Sequence, residues 1–297
     1  MDQHNESIVI TGGNGMLGRS LAGALHEAGF APVSLAHAEC DITSEHDVRH
    51  NFQHHRPALL LNCAAHTKVD QCEDEPDRAN AINGHAVGML AQMSREFGTR
   101  LVHVSTDAVF SGARSLPYSP DDPPGPISAY GRSKLLGEQL LRQVNPPGWL
   151  IVRTAWLFGD GHCFPRIIAD RARAGQPLQV VSDQVGSPTY ADDLAAAMIE
   201  LVKRNAQGIW HVTNGGRASW FDVAIAILDE LSMDIALEPV FTAQYLRIRP
   251  RQAPRPAYSV LDCSAFTRTV GRPIRHWHAA LREYCGRFLK GGRPGIV

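Results

Sequence analysis

Tyr130 and Lys134 stand four residues apart in the run AYGRSKLLGEQLL, so on a helix both side chains leave one face about one turn apart. A free phenol titrates at about 10, and a neighbouring ammonium favours its phenolate, making a better proton donor and acceptor near neutral pH. Ser105-Thr106-Asp107 follows an apolar run, at a place where an open parallel sheet binds its ligands. There the Thr106 hydroxyl could hydrogen-bond a substrate carbonyl or the Tyr130 oxygen, and Asp107 could bind a ligand hydroxyl. An amphipathic surface helix and a capped polar turn are the plain alternatives; the coincidence of both groups with a glycine turn argues for chemistry.

That turn is IVITGGNGMLG, which sets Gly12, Gly15 and Gly18 directly after a β-branched run and at the opening of an apolar-periodic one. Gly12 permits the tight turn, Gly15 lets the backbone approach a pyrophosphate at the helix N-terminus, and Gly18 allows close packing of helix on sheet. A dinucleotide is the expected ligand, and the GxxGxxG spacing resembles that of short-chain dehydrogenase/reductase proteins. The next strand ends Leu35-Ala36-His37 with no carboxylate at its tip, Glu39 lying slightly beyond. His37 and Arg19 could donate to a 2′-phosphate, so NADPH is favoured and NADH remains open. Asp41 and Ile42 could contact the adenine.

The elements that must position these groups follow from periodicity. Short apolar runs at Ile8–Thr11, Pro32–Leu35, Ala58–Asn62, Arg100–Ser105 and Trp149–Arg153 read as strands buried on both faces. Helices are expected between them at Met16–Ala28, Ser44–His55, Pro76–Phe97 and Ala129–Val144, the first with Leu17, Leu21 and Leu25 facing the sheet. The fold class is α/β, a Rossmann-type doubly wound parallel sheet with a smaller C-terminal α/β substrate lobe. The proline-rich stretch from Phe110 to Ser128 should be a long ordered loop. Later helices are expected at Pro165–Ala174, Ala191–Arg204, Ser219–Leu231 and His276–Phe288. The division is residues 1–154 for NAD(P), with added elements from about 176–204, and 155–297 mainly for substrate.

Composition narrows the classes. With 297 residues, 44% hydrophobic, 20% charged and a net charge of −1, the chain is long enough for a large core and has no overall pull toward nucleic acid or membrane. Six cysteines without regular spacing point to thiols in a reducing cytoplasm, and MDQHNES lacks the form of a signal peptide. Fourteen histidines contain no HExxH, and Cys63 has no evident base, so neither a metal nor a covalent hydrolase is expected. Arg247, Arg249, Arg251 and Arg255 form the one basic cluster; it reads as a solvated linker from which one arginine, Arg255, could pair with a diphosphate.

Beyond these readings the chain resembles the dTDP-4-dehydrorhamnose reductase family, extended short-chain dehydrogenase/reductase proteins. The resemblance is carried by ITGGNGMLG, CDIT, LLNCAAHTKVDQCEDEPDRANAIN, HVSTDAVFSG, PYSPDDPPGPISAYGRSKLLGEQ, IVRTAWLFG, VVSDQVGSPT and RPAYSVLD. It implies reduction of a dTDP-4-keto-6-deoxy sugar to dTDP-L-rhamnose, with Tyr130 as acid, Lys134 supporting it and the cofactor ribose, and Thr106 tuning the tyrosine. It implies sugar contacts from Thr106, Asp107 and Trp156. Cofactor contacts are implied from Gly12, Gly15, Met16, Leu17, Gly18, His37, Asp41, Ile42, Ala64, Ala65, His66, Thr67, Val104, Tyr130 and Lys134, with Asn83 supporting the site. Magnesium at a dimer contact is a further implication for which no ligands are assigned here. Monomer and homodimer both stay open. The sequence departs from the family at Ala108, usually tyrosine, at Ala155, usually serine, and at the second strand tip, which bears on substrate and cofactor preference. Two alternatives stand beside this reading: another nucleotide-sugar 4-ketoreductase, and a non-catalytic subunit like the regulatory β subunit of methionine adenosyltransferase.

Overall fold

The computed structural model describes residues 7–249 and 252–290. The leader reading of the first six residues and Arg251 of the basic cluster therefore lie outside the described residues. Strands β1 (Ile8–Thr11), β2 (Val33–Leu35), β3 (Leu59–Asn62), β4 (Arg100–Thr106) and β5 (Leu150–Thr154) join Gly208–His211 in a six-stranded sheet, parallel throughout, in the order Gly208–His211, β5, β4, β3, β1, β2. The order reverses beside β1, so the C-terminal ends of β1, β3 and β4 open on one crevice.

Helices cover both faces because each presents one apolar stripe. Leu17, Leu21 and Leu25 of helix Met16–Glu27 bury against Ile8, Ile10 and Leu61, together with Leu194, Met198 and Leu201 of helix Ala191–Lys203. Replacing one such leucine by alanine typically costs about 2–5 kcal/mol. On the other face Val48, Phe52, Val87, Leu90 and Leu141 pack against Val9, Leu60 and Ile151.

The chain passes between lobes more often than a single boundary allows. Within the 176–204 stretch, Leu178–Val181 pairs with Leu237–Val240 outside the main sheet, while helix Ala191–Lys203 lies on it. Gly208–His211, expected in the second lobe, is the sixth strand, because its pairing with β5 is non-local and invisible to periodicity. A further cluster of buried side chains, away from the main sheet, gathers Phe158, Ile168, Tyr190, Ile227, Trp277 and Tyr284. Short helices at Val69–Asp74, Thr242–Ile248 and Ser264–Val270 add to those expected. No described helix is long and apolar enough to cross a membrane.

Candidate active site

Helix Ala129–Val144 starts where Ser128 accepts from the Gly131 amide at 3.1 Å. Its height over the sheet is set by glycine: a Cβ at Gly131 would collide with the Ala108 carbonyl and one at Gly137 with the Asn83 carbonyl. This close approach brings Tyr130 and Lys134 to the end of β4, beside Thr106 and Asp107, on a cleft of about 970 Å³.

The helix is also clamped, through Asn83, to the segment that follows β3. Asn83 accepts from the His66 amide at 2.8 Å and donates to the His66 carbonyl and to Ser133 Oγ, both at 3.0 Å. Asn83 can face both ways because Ala81–His85 forms a π-helical turn between helices Pro76–Asn80 and Ala86–Phe97. The sequence reads there as one uninterrupted helix; a π turn leaves the apolar pattern nearly intact, and such turns recur at functional sites.

At the other end of the cleft, Gly12 has φ +68° and a Cβ on it would strike the Ala64 main chain, so only glycine fits. A Cβ on Gly18 would strike the Gly12 and Gly13 carbonyls: the close contact is of helix on turn. Gly15 is the N-cap of helix Met16–Glu27 with no side-chain cap and no acidic residue in the first turn, leaving its amides for an anion. Those residues fit a dinucleotide pyrophosphate.

Gly12, Gly15, Met16, Leu17, Gly18, Ala65, Thr67, Val104, Thr106, Asp107, Tyr130, Lys134, Trp156 and Arg255 all line this cleft. His37, Asp41, Ile42, Ala64 and His66 do not. His37 is exposed near Asp41, whose carboxylate accepts from the Thr43 amide and hydroxyl; Ile42 is buried in the core. Ala64 donates its amide to Asn62, and the His66 main chain is taken by Asn83. Arg19 lines the cleft but is paired with Asp160 at 3.5 Å. The strand tip needs a correction: Glu39 folds back and accepts from the Ala36 amide at 2.7 Å, so a carboxylate does stand there.

Electrostatics differ from the simple expectation of an ammonium acidifying the phenol. Burial pushes the Tyr130 pKa up, and hydrogen bonding from Thr106 only partly offsets it. Lys134 Nζ is turned to the Val104 carbonyl at 2.7 Å, and burial lowers its pKa to about 8 against the pull of Glu138. Burial raises Asp107 to about 6, opposed by hydrogen bonds from Ser259 and Thr106. Tyr130 is thus a neutral phenol across the ordinary pH range, which suits a group that holds a proton until charge develops on a neighbouring oxygen.

The wall facing the tyrosine comes from the second lobe. Trp156 sits at φ +45°, rare for a bulky residue, with its ring 3.6 Å from that of Trp220 and 5° from parallel. Gly186 leaves room for that ring, since a Cβ there would overlap it. Trp220, Tyr245 and Arg249 line the cleft and were missed from sequence. The signal for Trp220 was its place directly after Ser219 in the capping box S-W-F-D. Arg255 donates to Asp70 at 2.8 Å, and Arg249 lies over the Tyr245 ring. Among the described residues no group of three or more potential ligands could hold a metal ion.

The chain as a whole is similar to known proteins. The family model described as RmlD substrate binding domain matches residues 6–289. The spore coat polysaccharide biosynthesis protein SpsK of Bacillus subtilis is 43% identical, over 93% of this chain and 96% of its own length. The dTDP-4-dehydrorhamnose reductase of Mycolicibacterium smegmatis is 39% identical, over 95% of this chain and 86% of its own. The crystal structure of dTDP-4-dehydrorhamnose reductase from Bacillus anthracis in complex with NADP superposes with a TM-score of 0.89 at 34% identity, covering 94% of this chain and 98% of that one.

Proposed function

The chain belongs to the RmlD substrate binding domain family, and from that premise we infer that it is an NAD(P)H-dependent reductase converting dTDP-4-dehydrorhamnose to dTDP-L-rhamnose. The observation that carries the reading is the meeting of Tyr130, Lys134 and Thr106 with an uncapped glycine cradle in one cleft. Gly15, Met16 and Leu17 would hold the pyrophosphate, and Ala65, Thr67, Val104 and Lys134, which line the same cleft, would meet the rest of the cofactor. When bound, NADPH supplies the hydride.

Tyr130 gives its phenolic proton to the oxygen at the sugar C4. Its raised pKa keeps that proton in place beforehand. Thr106 hydrogen-bonds the same oxygen, and Asp107 accepts from a sugar hydroxyl. Trp156, stacked on Trp220, offers a flat apolar face to the sugar ring. Arg255 and Arg249 line the same cleft and supply cationic groups for a diphosphate, Arg255 being shared with Asp70. NADPH is the preferred cofactor, supported by the NADP in the Bacillus anthracis neighbour and opposed by Glu39 at the tip of β2. The six cysteines are all unpaired, which supports a reducing, cytoplasmic setting.

The test is oxidation of NADPH by the purified protein, followed spectrophotometrically with dTDP-4-dehydrorhamnose and with other dTDP-4-keto sugars. Turnover of the first with formation of dTDP-L-rhamnose is expected. No oxidation with it, or turnover confined to a different keto sugar, sinks the reading.

A further inference from the structure

Lys134 meets a partner that the reaction above does not use. Its Nζ lies 3.3 Å from His103 Nε2, and His103 sits wholly buried in β4. The other ring nitrogen, Nδ1, is 3.0 Å from Asn62 Nδ2. Asn62 is itself pinned, since its Oδ1 accepts from Thr11 Oγ1 at 2.7 Å and from the Ala64 amide at 3.2 Å. A main-chain amide only donates, so the atom facing Ala64 must be the oxygen and the atom facing the ring must be the NH₂. That NH₂ donates, so His103 Nδ1 accepts. A neutral imidazole with an accepting Nδ1 carries its hydrogen on Nε2.

The hydrogen on Nε2 therefore faces Lys134. An ammonium has three donors and no acceptor, so it meets this N–H donor to donor, whereas a neutral amine accepts it. We propose that Thr11, Asn62 and His103 form a line of fixed hydrogen-bond polarity in which His103 is a positioning residue for Lys134, favouring the neutral amine so that Lys134 releases its proton during turnover. After Tyr130 has given its proton to the sugar oxygen, an N–H proton of Lys134 restores the phenol. The lone pair left on Nζ accepts the Nε2–H of His103. One O–H and one N–H bond break, two O–H bonds form, and no electrons move beyond those of the reduction.

The surroundings agree. Burial above all, reinforced whenever Lys134 is charged, holds the His103 pKa well below its usual range, so the ring stays neutral. The groups facing Lys134 are Glu138 on its own helix, the Cys63 thiol after β3, and His103 and the Val104 carbonyl on β4. Glu138 and Cys63 favour the ammonium and burial opposes it. Glu138 is in turn committed to Arg153 of β5, at 2.9 and 2.6 Å, and to Ser105.

The inference deepens the reductase reading, and its first test needs no turnover. Nitrogen-15 NMR of the full chain, with His103 assigned through the His103→Asn variant, should show a neutral ring with its hydrogen on Nε2 between about pH 5 and 8. A hydrogen on Nδ1, or protonation in that range, overturns the proposal. The second test is Asn62→Asp, whose carboxylate accepts from Nδ1–H and so reverses the line. Its expected signature is a tautomer switched to Nδ1–H together with an alkaline limb of kcat moved up by about 1–3 pH units. An unmoved limb with a switched tautomer, or a moved limb without the switch, contradicts it. Absence of keto-sugar reduction by the parent protein removes the reductase reading and leaves the NMR result standing.

Discussion

On the glycine wall of the cleft the groups offered to a ligand are main-chain amides, held by one strand, one turn and one helix that are contiguous in sequence. On the opposite wall they are side chains, Trp156, Trp220, Tyr245, Arg249 and Arg255, gathered from separate segments between residues 156 and 255. Backbone recognition reads only the shape and charge of a pyrophosphate, which one cofactor shares across many reactions. Side-chain recognition can be altered one residue at a time, so on the proposed reading substrate choice would reside there.

Breaking the first wall should have the largest effect. Gly18→Val forces a side chain into the Gly12 and Gly13 carbonyls, which cannot yield. Cofactor affinity measured by calorimetry should fall by more than about a hundredfold, whereas retention of tight NADPH binding would show that the cradle is not the cofactor's seat. Trp220→Ala removes one half of the indole stack but leaves the cradle alone. KM for the sugar nucleotide should rise on the order of tenfold, with NADPH affinity unchanged; equal loss of both would erase the division between the walls.

Glu39 sharpens the comparison, because it brings a side chain to the backbone wall. Glu39→Gln removes the charge beside Ala36, and the ratio of kcat/KM for NADPH over NADH should rise several-fold, by about 0.5–1 kcal/mol in transition-state terms. A smaller, pH-dependent effect belongs to Asp107. Its carboxyl titrates at about 6 rather than 3.8, so the folded state holds an extra proton between those values. The stability this contributes is full below about pH 4 and is lost as pH rises through about 6. Asp107→Asn should remove that slope, raising unfolding free energy at neutral pH on the order of 1–3 kcal/mol. It should also abolish the rise in sugar KM expected of the parent below about pH 6.

The same division governs what was legible in the sequence. Helix Ala129–Val144 was expected with the bounds it has, and the first five strands within a residue or so, because each is a local periodic pattern punctuated by glycine or a cap. The glycine turn and the Tyr130/Lys134 spacing are local too. What escaped were non-local features. Gly208–His211 gives no sign that it pairs with β5; Asn83 was named only through the family resemblance, and the π turn that aims its amide at His66 and Ser133 left no mark in the apolar pattern. His103 stands in an apolar strand pattern as one buried polar residue, and only the register with Asn62 on β3 reveals its partners. Glu39 was dismissed on sequence distance from the strand tip, yet a tight turn returns its carboxylate there. His37 and Asp41 were put forward from their place just past the second strand, and the chain turns them to solvent and to Thr43.

The most direct measurement compares Tyr130→Phe with the parent in two readouts, kcat for reduction of dTDP-4-dehydrorhamnose and the dissociation constant for NADPH. A phenol that delivers the proton at the junction of the two walls predicts that kcat drops by about 10²–10⁴ while NADPH affinity stays nearly unchanged. Turnover within a few-fold of the parent would place the proton donor elsewhere and contradict the account.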